Sequence, residues 1–402
     1  MDGIDTDIVI AGGGVAGLGA AAILAARGFS VRCVDPAPPV TSGEAAGADL
    51  RSTAFLGPSV ALLRHCGLWD RLAPEAAPLR IMRIVDAGGS GGVARRTADF
   101  DAAEVGAAAF GYNLPNWLIR REMVAHLAAT PGGGLMAPAR VAEVVPRADR
   151  AIVRLGDGAG LAARLVIAAD GRDSGLRAAA GIGVRRWGYG QKAVVFTVRH
   201  ERPHEGVSTE VHMGGGPFTL VPLPSRSDRH RSAVVWMERG PRALALAAMP
   251  EAEFEAAANA RSAGVLGRLG LEGRRVVWPI IAQIADRLDA PRMALIAEAA
   301  HVVPPIGAQG LNMSLRDIGV LADLLVAARA EGADIGGVEV LARYHRARHA
   351  KVLARILGVD ALNRAAMTDH RPLRDLRNLG LGMVEGLRPL RRAAMRLGLG
   401  AE

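Results

Sequence analysis

The first 35 residues constrain the fold of this chain more than any other segment. Their hydrophobic pattern predicts a buried strand at 7–11, a helix at 15–27 ended by Gly28, and a second strand at 30–35. The turn before the helix reads Gly12-x-Gly14-x-x-Gly17, and Asp35 closes the second strand. This βαβ unit predicts the start of a dinucleotide-binding, Rossmann-like α/β fold.

Each glycine and the acid of this unit have a defined physical use. The first glycine permits the tight turn, the second lets a pyrophosphate approach the backbone, and the third lets helix and strand pack closely. The start of the helix, where Val15 and Ala16 lie, favours a bound anion, and the acid hydrogen-bonds ribose hydroxyls. The complete pattern predicts binding of an ADP moiety rather than an ordinary glycine-rich turn.

Composition limits the class of protein and its compartment. Half of the 402 residues are hydrophobic and 4% are aromatic, which suits two packed domains or one domain with a large insertion. Cys33 and Cys66 cannot form a disulfide framework, and no zinc-ligand spacing is visible, so we predict a reducing compartment and no metal site. Residues 8–26 are uncharged, but glycines interrupt them and Asp5 and Asp7 precede them. This argues against a signal peptide or a membrane span and predicts a cytoplasmic protein.

The remaining pattern predicts a discontinuous domain organisation. Alternating apolar runs between 190 and 285 indicate an antiparallel sheet, and α/β character returns after Ala294. The fold class is therefore α/β, with the dinucleotide-binding domain interrupted by a mostly antiparallel substrate domain, and with a helical C-terminus. The predicted ranges are 1–75, 111–182 and 286–345 for the nucleotide domain, 76–110 and 183–285 for the substrate domain, and 346–402 for the C-terminal segment.

A second device for holding negative charge lies at 297–317, AEAAHVVPPIGAQGLNMSLRD. The proline pair fixes the backbone, and the two glycines that follow permit unusual dihedral angles. The helix after the loop would offer N–H groups from Leu311 and Asn312 and the positive end of its dipole. We expect this loop to stabilise negative charge on a flat group that packs against bare backbone. His301 is interpreted as a packed histidine beside the loop rather than as an acid or base.

A third motif completes a recognisable set. Ala169-Asp170-Gly171 follows a predicted buried strand, and Ser174 is a predicted helix N-cap before Arg177. With the three motifs in this order, the sequence resembles the FAD-dependent aromatic hydroxylases, or group A flavin monooxygenases, along nearly its whole length. The resemblance implies FAD as the cofactor and NAD(P)H as a transient reductant.

The resemblance also assigns residues to the site. Cofactor contacts are implied for Gly12, Gly14, Val15, Ala16, Gly17, Asp35, Arg51, Arg120, Asp170, Gly171, Glu298, Gly307, Gln309, Gly310, Leu311 and Asn312. Flavin positioning and electrostatics, without acid–base catalysis, are implied for Pro304, Gly310, Leu311 and Asn312. Substrate contacts are expected for Tyr189 and Pro305, and a buried structural tyrosine is the alternative for Tyr189. Where the family has Gly-Asp this chain has Ala297-Glu298, so its carboxylate lies one methylene farther from the backbone and can make the same bond to the cofactor.

Two segments resemble the ubiquinone-biosynthesis branch of the family, namely 189–192 (YGQK) and 373–400. The branch implies that NAD(P)H reduces the flavin, that O2 adds at C4a, and that the resulting hydroperoxide hydroxylates a polyprenylated phenol. Three alternatives stay open: a hydroxylase of another small aromatic substrate, an FAD-dependent reductase or halogenase, and a non-catalytic scaffold within a quinone-biosynthesis assembly.

The net charge of the chain and the distribution of its arginines indicate which partners it can bind. The net charge is +9, almost entirely from arginine, yet no nucleic-acid recognition motif is visible, so no nucleic-acid partner is predicted. Arginines alternate with leucines between 371 and 396, as in basic amphipathic helices that lie on membranes or on partner proteins. We therefore expect peripheral attachment to the inner face of a membrane, or contacts with other quinone-biosynthesis proteins, through this segment. An ordinary packed surface helix is the alternative.

Overall fold

The computed structural model describes residues 3–87, 96–226 and 229–367, together with 389, 391–393 and 395. Over these ranges the chain forms a mixed α/β protein. The α-helices are α1 Val15–Ala26, α2 Gly57–His65, α3 Trp69–Leu72, α4 Asn116–Ala129, α5 Gly175–Ala179, α6 Gly240–Ala248, α7 Glu251–Arg261, α8 Ala297–Ala300, α9 Gln309–Ala330 and α10 Val338–Met367. Short 3₁₀ turns lie at Ala73–Glu75 and Ala102–Val105.

The strands are assembled into three sheets. In chain order they are β1 Thr6–Ala11, β2 Val31–Val34, β3 Ser52–Leu56, β4 Ala77–Leu79, β5 Ile81–Asp86, β6 Arg96–Asp101, β7 Gly111–Pro115, β8 Gly133–Met136, β9 Val141–Pro146, β10 Ala151–Leu155, β11 Gly160–Ala168, β12 Val184–His200, β13 Val207–His212, β14 Pro217–Arg226, β15 Arg229–Arg239, β16 Leu269–Ala285, β17 Asp289–Ala290, β18 Met293–Leu295 and β19 His301–Val302.

The first sheet contains the predicted βαβ unit at its centre. Its order is β17-β18-β11-β1-β2-β8, with β10 and β9 added beside β11, and the pairs from β18 to β8 are parallel. Such central strands are buried on both faces, which explains their continuous apolar runs. Helix α1 is apolar on nearly every side and is buried from Gly17 to Ala25. The strand, helix and strand predicted for the first 35 residues are confirmed.

The second sheet matches the predicted antiparallel character of the middle of the chain. Its order is β19-β16-β12-β15-β14-β13-β5-β6, and every pair is antiparallel except β13 with β5. Side chains of successive residues alternate between its faces. One face packs with α6 and α7, two helices that the sequence reading did not predict, in a cluster that includes Phe196, Trp236 and Phe254.

The third sheet, β3-β7-β4, packs beside β14 of the second sheet. Nδ2 of Asn113 in β7 donates to the carbonyl of Pro222 in β14, 2.8 Å away. The division into three predicted domain ranges stays a prediction, and α10 runs without a break through the boundary placed at residue 345.

Two sequence expectations concern membranes. None of the described helices combines the length and the apolar composition needed to cross a bilayer. The basic segment 371–396 lies outside the described residues, apart from 389, 391–393 and 395. Cys33 and Cys66 are both buried and unbonded to each other.

Candidate functional site

The glycine turn between β1 and α1 is shaped by contacts at its first and third glycines. Gly12 has φ +113°, and a Cβ there would lie 2.3 Å from the carbonyl oxygen of Ala169. A Cβ on Gly17 would lie 1.9 Å from the carbonyl oxygen of Gly12. Both positions therefore exclude any side chain, as predicted for a tight turn with close helix–strand packing.

Gly14 is different, because it is the N-cap of α1 and a Cβ there would meet no atom within 4 Å. The space beside it is open, and the half-buried Val15 and Ala16 begin the helix at the same place. Unpaired N–H groups and the positive helix end suit a pyrophosphate in this space. The turn therefore fits the phosphates of a dinucleotide.

Asp35 follows β2 and is held by the backbone on both sides. Its Oδ2 accepts from the N–H of Gly13 at 2.6 Å, and its Oδ1 accepts from the N–H of Ala37 at 2.9 Å. A carboxylate has further acceptor positions, so these bonds orient it and still leave capacity for ribose hydroxyls. Beneath it, burial and the charge of Asp35 raise the pKa of the Cys33 thiol to about 12, which keeps that thiol neutral.

The Asp-Gly motif follows β11, at the carboxyl edge of the first sheet. Asp170 is exposed and accepts from the N–H of Leu176 at 3.2 Å, while Gly171 has φ +92°. Ser174 caps α5 by accepting from the N–H of Arg177 at 3.0 Å, which confirms the predicted N-cap. The motif therefore lies at the carboxyl edge shared by β1 and β11, close to the glycine turn.

Arg177 connects this motif to the segment that begins at Ala297. Its Nη1 donates to the carbonyl of Arg172 at 3.1 Å and to the carbonyl of Ala299 at 2.9 Å. Arg172 in turn pairs with Glu298, with Nε 3.1 Å from Oε2. Ala297 has φ +55°, a left-handed conformation that favours glycine. The glycine of the family pattern has been replaced here, but the backbone shape that suits glycine has been kept.

The loop 304–308 is short and bent before α9. The N–H of Ile306 donates to the carbonyl of Pro304 at 2.8 Å. Gly307 and Ala308 both have positive φ, +62° and +55°. Pro305, Gly307 and Gly310 are exposed, so bare backbone is presented to solvent at this bend as predicted.

Helix α9 begins at Gln309, so Leu311 and Asn312 belong to its first turn. Gln309 is buried, and its Nε2 donates to the carbonyl of Gly307 at 2.8 Å. The side chain of Asn312 accepts from the N–H of Leu56 at 2.9 Å. Its Nδ2 donates to the carbonyls of Ala54 at 2.7 Å and Ala308 at 2.6 Å. Asn312 thus ties the first turn of α9 to the end of β3.

Arg51 lies before β3 in a half-buried polar cluster. It binds Asp49 through two contacts, Nε to Oδ1 at 2.9 Å and Nη2 to Oδ2 at 2.7 Å. Asn116 donates to Asp49 at 2.9 Å, and the guanidinium of Arg51 lies 4.2 Å from the centre of the Trp278 ring. Burial opposes ionisation of Asp49, but the bonds and charge of Arg51 outweigh it and hold the pKa of Asp49 below its ordinary value.

The hydrogen bonding of Arg120, on α4, also bears on the cofactor site. Its Nε is buried and has no hydrogen-bond partner within the described part of the chain. Buried donors in proteins are normally satisfied, so an orphaned guanidinium nitrogen marks a place where a bound group would complete the contacts. Together with the open space beside Gly14, it indicates that the residues present fit an anionic cofactor.

The second face of the large sheet is apolar near the loop. Ala193, Val195, Met237 and Ile280 form a buried cluster, and Ile306 from the loop packs against it with Tyr189, Val235 and Trp278. These residues come from β12, β15 and β16, so this apolar face consists of three neighbouring strands. The loop 304–308 packs on this apolar face through Ile306.

Tyr189 lies at one end of the apolar face. Its hydroxyl donates to Oδ1 of Asp360 at 2.6 Å, and Nε1 of Trp187 donates to the same oxygen at 2.9 Å. Burial, followed by the hydrogen bond and charge of Asp360, raises the pKa of Tyr189 well above its ordinary value. The tyrosine therefore stays neutral, and its ring rather than its hydroxyl faces the apolar cluster.

His301 is packed, as the sequence analysis interpreted it. Its Nε2 lies 2.6 Å from Oδ2 of Asp317, whose Oδ1 accepts from Nε of Arg348 at 2.6 Å. The three side chains are at most 4% exposed. This buried ion cluster supports the segment that leads into the loop.

The structure thus brings the predicted residues into two groups. The glycine turn, Asp35 and the Asp-Gly motif gather at the carboxyl edge of the first sheet. Glu298, the loop and the first turn of α9 gather beside β3 and the apolar face. Sequence reasoning missed Asn116, Trp278 and Asp360, because residues so far apart in the chain give no signal of contact in a single sequence.

Comparison with known proteins agrees with this arrangement. The family model described as FAD binding domain matches residues 5–356. A ubiquinone hydroxylase, UbiL, of Rhodospirillum rubrum is 38% identical over 394 residues, which cover 98% of this chain and 89% of that protein. The 3-demethoxyubiquinol 3-hydroxylase of Escherichia coli is 30% identical, with 98% of each chain covered.

A solved structure supports the fold alone. The crystal structure of the p-nitrophenol 4-monooxygenase PnpA from Pseudomonas putida has a TM-score of 0.79 against this chain. It is 21% identical, and 99% of each chain is covered. The fold of this chain is therefore shared with that monooxygenase.

Proposed function

The chain belongs to the FAD-binding domain family of flavin-dependent monooxygenases, and on this basis we propose that it hydroxylates the aromatic ring of a polyprenylated phenol in ubiquinone biosynthesis. FAD is its cofactor, NAD(P)H the reductant and O2 the source of the oxygen atom. The names of the two relatives, a ubiquinone hydroxylase and a demethoxyubiquinol hydroxylase, support this reaction.

The apolar sheet face is the observation that carries the choice of substrate. Its buried members, Ala193, Val195, Met237 and Ile280, carry no charge and no hydrogen-bonding side chain, and the half-buried Val235 and Ile306 beside them leave apolar area that a ligand can cover. Burial of apolar surface is worth roughly 25 cal/mol per Å², so a prenylated ring gains affinity there without polar contacts. A charged aromatic acid would lose its hydration against the same surface and gain no partner from these four side chains.

FAD, when bound and reduced, supplies the chemistry that activates O2 for transfer to an electron-rich ring. The residues of this chain bind and orient the reacting partners and exclude water. The turn at Gly14 and the start of α1 hold the pyrophosphate, and Asp35 orients the ribose. The first turn of α9, with the N–H of Leu311, favours negative charge on the bound ring. Pro304 and Pro305 fix the position of that turn.

Glu298 takes the position of the family aspartate in this proposal. Its carboxylate, 42% exposed and paired with Arg172, is available to the ribityl chain of the cofactor. The ion pair with Arg172 orients this carboxylate, so the longer side chain loses less conformational entropy when it binds the cofactor. Arg120 and Arg51 complete the cofactor contacts, and Asp170 and Gly171 line the approach to the phosphates and ribityl chain.

We also propose that residues 371–396 attach the protein to a membrane. A polyprenylated substrate resides in the bilayer, and alternating arginines and leucines suit an anionic membrane surface. Deletion of 371–402 should reduce cosedimentation with liposomes that contain phosphatidylglycerol. Unchanged cosedimentation would remove the membrane from the proposal and direct attention to partner proteins.

Profiling of quinone intermediates tests the reaction. A strain that lacks the gene should accumulate an under-hydroxylated prenylphenol and regain ubiquinone with the wild-type gene. The purified protein should be yellow and consume O2 with NAD(P)H and a short-chain prenylphenol. A normal quinone profile would indicate another aromatic substrate, absence of O2 consumption would indicate a reductase, and failure to bind FAD would indicate a scaffold.

A further inference from the structure

A pair of buried amides lies at one end of the apolar sheet face. Gln191 of β12 lies two residues before Ala193, and β12 pairs regularly with β15 over this stretch, so both side chains are on the same face. Nδ2 of Asn363, on α10, donates to Oε1 of Gln191 at 3.2 Å. Asn363 is 0% exposed and Gln191 is 3% exposed. The last turns of α10 therefore bring a second amide to this end of the face.

One backbone carbonyl fixes the orientation of both amides. Nε2 of Gln191 donates to the carbonyl of Gly215 at 3.0 Å. Because a carbonyl only accepts, the NH2 group of Gln191 faces Gly215 and its oxygen faces Asn363. The NH2 group of Asn363 must then face Gln191, so Oδ1 of Asn363 points away from Gln191.

Oδ1 of Asn363 is buried and has no hydrogen-bond partner among the residues that the structure describes. Buried polar atoms in proteins are normally satisfied, and one left unsatisfied destabilises the fold. None of the contacts assigned to the cofactor involves Asn363. The open atom is an acceptor, so the group that completes its bonding must carry a proton to donate.

The neighbouring side-chain donors are already bound. The hydroxyl of Tyr189 and Nε1 of Trp187 both donate to Oδ1 of Asp360, which lies one turn before Asn363 on α10. Nε of Arg364 donates to the other oxygen of Asp360 at 2.9 Å. A phenolate or a quinone has no proton on its oxygen and would gain no hydrogen bond from Oδ1 of Asn363. A neutral ring hydroxyl supplies the missing proton.

We propose that Oδ1 of Asn363 accepts a hydrogen bond from the ring hydroxyl of a prenylated phenol that lies on the apolar face. The inference rests on the proposed function and adds to it the form of the ring that is recognised, a neutral phenol or quinol. Gln191 is a positioning residue, because it holds the amide of Asn363 in the orientation that presents the oxygen. The prenyl chain extends over Ala193 and Val195, and Ile306 of the loop 304–308 packs on the same face.

The test compares the affinities of ortho-prenylphenol and of prenylbenzene, which lacks the hydroxyl, for the oxidised, FAD-loaded full chain by calorimetry. Wild type should bind the phenol about tenfold more tightly, because prenylbenzene leaves Oδ1 of Asn363 without a donor. Asn363→Leu removes that oxygen and should lower the affinity ratio to about one. Asn363→Ala should do the same, and alanine is favourable in a helix if leucine does not fit. Gln191→Leu should lower the ratio about threefold, because the amide of Asn363 is then free to turn.

Asn259→Ala is the matched control. It removes the same amide from α7, which packs on the opposite face of the sheet, where Nδ2 of Asn259 donates to the carbonyl of Leu269 at 2.8 Å. It should lower stability and leave the affinity ratio unchanged. An equal fall of the ratio in this control, or an undiminished ratio in Asn363 variants that retain FAD, would overturn the inference and leave the proposed function standing. Hydroxylation of ortho-prenylphenol by wild type with NAD(P)H and O2 tests the proposed function separately, and its absence would overturn both.

Discussion

The glycine turn at 12–17 and the flavin-side segment at 297–312 are held in their backbone conformations by different means. In the proposed function, each would present the start of a helix, α1 or α9, to an anionic part of the cofactor. In the first, the positions that exclude a side chain are glycines. In the second, Ala297 and Ala308 adopt the left-handed conformation although they carry a Cβ. The first is shaped by steric contacts among short segments, whereas the second is held in a less favourable shape by its surroundings.

The surroundings of the flavin-side segment are distant in sequence. Asn312 binds the backbone of β3, Glu298 pairs with Arg172, and His301 pairs with Asp317. Each bond fixes the segment at a different point. The difference teaches that a local motif can be recognised by its glycines, while a loop fixed from outside can lose its glycine and keep its shape.

Gly17→Ala should have the largest effect. Its Cβ would lie 1.9 Å from the carbonyl oxygen of Gly12, so the turn must distort. We expect loss of FAD retention and a fall of about 3 kcal/mol in the free energy of unfolding, measured in urea. Gly19→Ala on the same helix is the matched control, because its Cβ would meet Met123 and Leu315 at 3.5 and 3.6 Å. Equal stability of the two variants would show that the turn is not sterically defined.

Gly14→Val should remove the cofactor while sparing the fold. The position has φ −68° and an open neighbourhood, so valine fits the protein but fills the space assigned to the pyrophosphate. We expect loss of bound flavin by absorbance, with the stability of the cofactor-free protein changed by about 1 kcal/mol or less. Flavin content equal to wild type would refute the placement of the pyrophosphate.

Asn312→Ala probes the flavin side in the same way. It would leave the N–H of Leu56 and the carbonyl of Ala54 without their side-chain partner in a buried place. We expect a loss of about 2 kcal/mol in the free energy of unfolding, together with weaker FAD binding. Asn312→Asp keeps the acceptor for Leu56 but sets a buried carboxylate against the carbonyls of Ala54 and Ala308, so it should lose at least as much. Wild-type stability in Asn312→Ala would mean that the loop does not depend on β3.

Ala297→Gly and Ala308→Gly should be neutral or slightly stabilising. Glycine removes a left-handed strain of about 1–2 kcal/mol, against which the unfolded chain gains about 0.4–1 kcal/mol of conformational freedom. The net gain should be about 0.5 kcal/mol, measured as a rise in the unfolding midpoint. A loss of stability in both variants would show that the Cβ atoms make contacts worth more than the strain.

A fall in pH should lower the stability of the folded protein through Asp49. Its folded pKa lies below the unfolded value of about 4, so its stabilising effect is fully present above that value and is lost as the pH falls through the lower folded pKa. Arg51 is 38% exposed, so solvent limits the effect to about 1 kcal/mol at neutral pH. The stability difference between wild type and Asp49→Asn should shrink below about pH 4. A stability difference that does not change with pH would show that ionised Asp49 does not stabilise the fold through its contacts with Arg51.

Much of the nucleotide side could be predicted from the sequence. Strand, turn, helix and acid are adjacent in the chain, and their spacing follows from backbone geometry. The cap at Ser174 and the packing of His301 could be anticipated for similar local reasons. Helices α6 and α7 were missed, because they cover one face of a sheet whose pairing the sequence does not state. The roles of the predicted site residues stay predictions until the variants are measured.

By itself, the sequence determined the βαβ start, the antiparallel middle and the family, because these depend on local periodicity and on motifs of fixed spacing. Only the tertiary structure decided that Asn312 binds the end of β3, that Arg51 lies over Trp278, and that an apolar face meets Ile306. These contacts join residues that are up to hundreds of positions apart. Side chains so distant meet only after the sheets have formed, so no local rule of sequence specifies them.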